Sequence, residues 1–135
     1  MKQKAKAPES LPAAELDLMR ALWELGEPSS ATQIHRVLGK YRSCTKPMVY
    51  ILADRLAAKG FVSVKQVDEP VTYKQITPLV SEEDYAFSET SGLVDRLFHG
   101  SWKKLVVSIA DSEELTEEDI AEIEAILRSR KESEK

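Results

Sequence analysis

Apolar positions recur with a helical period from the twelfth residue onward. Leu16, Met19, Leu22 and Trp23 follow i, i+3, i+6, i+7 spacing after Pro12, and Gly26 ends the run. Ser29 or Ser30 offers a cap for a short helix, Ala31–Leu38, closed by Gly39. A loop over 40–44 leads to Thr45, which can cap a third helix ending at Lys59-Gly60. Pro47 falls in its first turn, where a missing N–H is harmless. The period then drops to two. Residues 61–66 (FVSVKQ) and 71–76 (VTYKQI) read as strands rich in β-branched and aromatic side chains, with Asp68-Glu69-Pro70 as their turn. Three helices followed by a hairpin is the order of a winged helix-turn-helix.

Pro78 and the cap-like Ser81 mark a boundary, beyond which only helices are expected. The first is Glu82–Phe98, broken by His99-Gly100-Ser101, and the second is Trp102–Ala110. Thr116 with Asp119 resembles a capping box and opens a last helix through Ile120, Ile123, Ile126 and Leu127. The predicted fold is mainly α with a small β-hairpin wing. Its parts are a flexible basic arm at 1–10 (Lys2, Lys4, Lys6), a winged helix-turn-helix at 11–78 and a three-helix domain at 79–131. So short a C-terminal segment rarely supplies a core of its own. Yet it carries Trp102, Leu105, Val106, Val107, Ile109, Ile120, Ile123, Ile126 and Leu127. Burial of these stripes against a second copy is the expected outcome, with packing back on the N-terminal domain as the alternative.

Charge sharpens the division. Residues 1–80 carry 12 Lys+Arg against 8 Asp+Glu, residues 81–135 carry 7 against 15, and the stretch 31–74 carries 8 against 3. A basic half joined to an acidic half suggests that one part meets a polyanion. Other classes fall away. No apolar run approaches the ~20 residues of a membrane span, and the start MKQKAKAPES lacks the apolar stretch of a signal peptide, so a cytoplasmic location and no membrane partner are expected. A single cysteine, Cys44, leaves no disulfide framework, and His35 and His99 lie too far apart for a ligand pair, so neither metal nor cofactor is expected. The sequence also lacks a phosphate-cradling glycine loop, a His-Glu-x-x-His and a nucleophile elbow, which argues against an enzyme. Cys44 reads as a small, partly buried thiol; a redox role would rest on its neighbours Arg42 and Lys46 alone.

The third helix is the most informative element. At 100° per residue Val49, Leu52, Ala53 and Leu56 form one arc, the core face, with the methyl of Thr45 beside them. The opposite arc holds Lys46, Pro47, Tyr50, Ile51, Asp54, Ala57 and Ala58. A surface helix normally loads such a face with Lys and Glu. An aromatic, a bare isoleucine and two alanines suit entry into a DNA groove, where Ile51 can meet a thymine methyl and Tyr50 a base edge or phosphate. Lys46 and Arg42 lie near the helix start, whose N–H groups also favour a phosphate. The DNA-contacting set is therefore expected to be Arg42, Thr45, Lys46, Pro47, Met48, Tyr50 and Ile51, with Lys65 and Lys74 from the wing.

The spans LPAAELDLMRALWELG, TKPMVYILADRLAAKGFV and GSWKKLVVSIADSEELTEEDIAEIEAIL resemble the penicillinase-repressor family of bacterial transcriptional regulators over about residues 11–130. The resemblance implies a homodimeric repressor that sits on a palindromic operator and blocks transcription. Three departures stand out. Where the family's recognition helix opens with Ser, then Lys-Thr, then a long polar base reader, this chain has Thr45, Pro47, Met48 and Tyr50, which points to a different operator. Relatives in the antibiotic-resistance branch are inactivated by a cut at an Asn-Phe bond. The matching bond here is Ser108-Ile109, and the chain has no asparagine, so any regulatory protease differs. The C-terminal cysteine pairs of the copper-responsive branch are missing as well. The rival reading is a winged helix that binds protein, not DNA, through the Tyr50/Ile51 face.

Overall fold

The computed structural model describes residues 9–133. Six helices and three short strands run α1 (Ala13–Leu25), β1 (Ser29–Ser30), α2 (Ala31–Leu38), α3 (Lys46–Ala58), β2 (Val62–Val67), β3 (Tyr73–Pro78), α4 (Glu82–Phe98), α5 (Trp102–Ala110) and α6 (Glu117–Ser133). The basic arm expected at 1–10 lies, through residue 8, outside the described residues. Contacts group the chain into two compact units that divide at Thr90 and Ser91.

In the first unit, local chemistry sets each helix end. Gly26 adopts φ +73 and returns its N–H to the Leu22 carbonyl, ending α1. Ser30 and Gln33 form a reciprocal capping box on α2. Thr45 Oγ1 accepts the Met48 N–H at the start of α3, with Pro47 in the first turn. At the other end of α3, Gly60 N–H bonds Ala57 O and Phe61 N–H bonds Leu56 O, the paired bonds of a Schellman closure. Gly60 at φ +84 supplies the left-handed residue that this closure needs.

The core between α1, α2, α3 and the sheet consists of Leu18, Met19, Leu22, Ile34, Leu38, Val49, Leu52, Leu56, Phe61 and Ile76, all essentially without solvent contact. Each such side chain contributes roughly 1.5–3 kcal/mol of burial free energy. One charged pair joins them. Glu15 in the first turn of α1 is 4% exposed and accepts from Lys59 Nζ at 2.5 Å, linking the start of α1 to the end of α3.

Several expectations shift. Ser29 and Ser30 do more than cap, because they form an edge strand antiparallel to β3, giving the sheet order β1-β3-β2. The hairpin strands start and end later than the composition suggests. Phe61 belongs to the core, and Val71, counted in a strand, is 67% exposed in the turn. Residues 79–90, assigned above to the C-terminal domain, pack with the first unit. Trp23 Nε1 donates to Val80 O at 2.9 Å, and the buried Tyr85 ring lies 6.0 Å from Trp23 and 5.9 Å from Phe61. The Tyr85 hydroxyl accepts the Leu11 N–H at 2.9 Å, and burial pushes its pKa up.

The second unit holds the rest of α4 with α5 and α6. Ser101 accepts the Lys104 N–H to cap α5, and Thr116 and Asp119 exchange hydrogen bonds of 3.0 and 3.1 Å at the start of α6. Neither α5 nor α6 has a buried residue within the chain. Trp102, Val106, Val107, Ile109, Ile120, Ile123, Ile126 and Leu127 are exposed, and Leu105 is half-buried.

Candidate nucleic-acid interface

The core face of α3 is the one its spacing predicts, since Val49, Leu52, Ala53 and Leu56 are buried. Thr45 is exposed and spends its hydroxyl on the cap, so its methyl does not join the core. On the far side Lys46, Pro47, Met48, Tyr50, Ile51, Asp54 and Ala58 are exposed. Ala57 is half-buried against the core, which removes one of the two alanines expected on that face. An exposed surface of Met48, Tyr50 and Ile51 costs solvation in the free chain, a feature typical of contact faces.

The loop before α3 is anchored by acids that the sequence reading passed over. Arg42 Nε donates to Asp17 Oδ2 at 2.9 Å. Tyr41 Oη donates to Glu24 Oε1 at 2.7 Å, and Lys40 Nζ pairs with the same carboxylate. The Arg20 guanidinium stands 4.1 Å over the Tyr41 ring. These bonds lower the Glu24 pKa through Lys40 and raise those of Lys40 and Tyr41 through Glu24. His35 Nε2 lies 2.7 Å from Cys44 O and ties α2 to the end of the loop. Asp17 and Glu24 are seven residues apart, two helical turns, and therefore share one face of α1. That spacing was the available signal. Cys44 is half-buried, with its thiol 3.4 Å from Thr45 O.

The two wing lysines separate. Lys65 pairs with Gln75 and Gln66 with Lys74, so alternation puts Lys65 and Lys74 on opposite faces of the hairpin. Lys74 Nζ lies 5.8 Å from the centroid of the Tyr50 ring. The structure thus brings together Tyr50 and Lys74 from the expected set, holds Thr45 and Arg42 in intrachain bonds, and leaves Lys46 and Lys65 exposed.

A family profile described as "Penicillinase repressor" matches residues 11–129. The chain belongs to this family. Among its relatives, the methicillin resistance regulatory protein MecI of Mammaliicoccus sciuri is 25% identical over 118 residues, spanning 87% of this chain and 93% of that protein. A penicillinase repressor of Staphylococcus aureus is 28% identical over 115 residues, 84% of this chain and 87% of that one. A solved chain described as the Bacillus licheniformis BlaI monomeric form in complex with the blaP half-operator aligns at 22% identity and a TM-score of 0.46, covering 59% of this chain and 92% of that chain. The resemblance read from the sequence is thereby established for nearly the whole length. Among the described residues no helix is long and apolar enough to cross a membrane.

Proposed function

We propose that this penicillinase-repressor family member is a cytoplasmic, homodimeric transcriptional repressor that holds a palindromic operator in double-stranded DNA. In this reading α3 enters the major groove. Pro47, Met48, Tyr50 and Ile51 face base edges, where Ile51 suits a thymine methyl and the Tyr50 hydroxyl can donate or accept. Thr45, Lys46 and Arg42 lie where the helix start meets the backbone, Lys65 brings the wing to the flanking phosphates, and Lys74 enters beside Tyr50. The carrying observation is the exposed, largely uncharged Met48, Tyr50 and Ile51 surface of α3, in a chain that the penicillinase-repressor profile matches. A protein-binding module with the same face is not favoured, because the relatives carry the names of regulators and repressors.

The exposed apolar residues of α5 and α6 support pairing of two copies through Trp102, Leu105, Val106, Ile109, Ile120, Ile123 and Leu127. Joining two half-site binders raises affinity through effective concentration, so release needs only separation of the pair. A cut at Ser108-Ile109 would detach α6 from the chain and end that linkage. Without an Asn-Phe bond, control would pass to a protease of other specificity or to a direct signal. The test is selection of bound duplexes from a random library, followed by salt titration of the enriched sequence. A palindromic consensus whose affinity falls log-linearly with salt supports the reading. Absence of enrichment, or binding indifferent to salt, refutes it.

A further inference from the structure

We propose that Lys74 is a positioning residue for base recognition: the wing sets the direction of Tyr50, and through it part of the operator preference. The inference rests on the reading of the chain as a DNA-binding repressor and deepens it. Lysines on a wing are ordinarily read as phosphate contacts. Here β3 projects Lys74 toward α3, with its ammonium 5.8 Å from the Tyr50 ring centroid, within the range of a cation–π contact. The register sends Lys65 to the other face of the hairpin, so the two lysines cannot share one task.

Tyr50 needs such a partner. It sits in the second turn of α3, 37% exposed, and neighbours Ile51 at 46% and Met48 at 40%. Among the described residues no other group bonds to its side chain or makes a ring contact with it. An aromatic on a solvent face samples more than one rotamer, and each rotamer offers its hydroxyl to a different base. An ammonium held near one ring face favours a subset of those rotamers before DNA arrives, which lowers the ordering cost on binding and penalises sequences that require another. The anchor is firm, since Lys74 pairs with Gln66 of β2 and Ile76, two residues along the same face, is fully buried. Lys65, on the far face, lacks this route to the bases and acts through charge alone.

The experiment uses the full chain and a library of random 30-bp duplexes. Wild type, Tyr50→Ala, Lys74→Met, Lys74→Arg, Lys65→Ala and the Tyr50→Ala/Lys74→Met double variant each select from it. Lys74→Met should blunt discrimination about 2- to 5-fold at the same base positions that Tyr50→Ala blunts, the range of an exposed cation–π contact. The double variant should match Tyr50→Ala in its preferences, and Lys74→Arg, which keeps a cation over the ring, should retain the parental preference. Lys65→Ala should weaken every sequence alike. If Lys74→Met leaves preferences intact while lowering all affinities together, or alters them equally when Tyr50 is absent, the proposal is overturned and Lys74 is a phosphate contact. If no chain enriches any sequence, the DNA-binding reading itself fails and takes the proposal with it. Circular dichroism of each variant separates loss of fold from loss of preference, and Lys74→Gln, which also removes the cation, takes the place of Lys74→Met if that variant is poorly folded.

Discussion

Lys59→Met isolates Glu15, the one buried acid among the described residues. Methionine keeps the apolar stem of the lysine and deletes only its ammonium. Glu15 then remains 4% exposed with its counter-charge gone, at the junction of α1 and α3. Breaking a fully buried pair typically costs about 3–5 kcal/mol. The Lys59 side chain is 28% exposed, so water already reaches this pair and part of the penalty is screened. We expect a loss of about 1.5–3 kcal/mol, below the range for a fully buried pair because of that screening. For a domain of this size each kcal/mol moves Tm by roughly 4–8 °C, which puts the drop on the order of 10 °C. The double variant Glu15→Leu/Lys59→Met removes both charges and should recover to within about 1 kcal/mol of wild type. Thermal and urea unfolding are measured at one fixed protomer concentration, because self-association would shift the apparent stability. A Lys59→Met chain within about 0.5 kcal/mol of wild type would show that Glu15 is solvated without its partner and would refute the reasoning.

Changing Ile123 and Leu127 to Glu should give monomers by sedimentation with the first unit still folded, and operator affinity about 100-fold or more weaker; a double variant that sediments as a dimer sinks the pairing surface. Tyr85→Phe loses the acceptor for the Leu11 N–H and should cost about 1 kcal/mol near neutral pH. Because burial raises the Tyr85 pKa in the fold, its stabilisation is complete below the ordinary phenol value and disappears as pH rises through the folded one, so the Tm decline between pH 9 and 11 should be shallower in Tyr85→Phe. Exposing the native host to a β-lactam should leave the chain intact on an immunoblot, and a fragment ending at Ser108 would show that the missing Asn-Phe bond does not matter.

What the sequence made legible was whatever repeats locally. The core arc of α3, the Thr116/Asp119 cap and the glycine stops follow from spacing and backbone preference within a turn or two. What escaped it depends on distant partners. Two serines have no period, so β1 emerges only when β3 arrives to pair with it. Pro78 and Ser81 look like a domain edge, yet Tyr85 meets Leu11 across 74 positions and holds the start of α4 on the first core. Asp17 and Glu24 read as an ordinary solvated helix face until the loop at 40–42 folds onto them. For α3 the exposed arc was readable, but its link to the wing depends on hairpin register, and register is set by pairing and turn geometry more than by composition.

These intrachain contacts also change how much of the basic stretch is open to a polyanion. Of the 8 Lys and Arg residues in 31–74, Lys40 pairs with Glu24, Arg42 with Asp17 and Lys59 with Glu15. Their charge is already offset, so each displaces fewer counterions when it nears a phosphate. Arg36, Lys46, Arg55 and Lys65 form no ion pair among the described residues, and Lys74 keeps its charge over a neutral ring. Within this stretch, five uncompensated cations per copy, ten for a pair, contribute at most about −9 to the logarithmic salt slope, whereas all eight per copy would contribute about −14. A measured slope near the steeper value would mean that the carboxylates of α1 surrender their cations when DNA binds. A slope at or below the shallower bound would mean that they keep them, and that the acids of α1 shape the loop before the recognition helix without feeding it to the phosphates. In that case specificity, more than charge, has to hold the protein on its site, and the burden falls on the Met48, Tyr50 and Ile51 face.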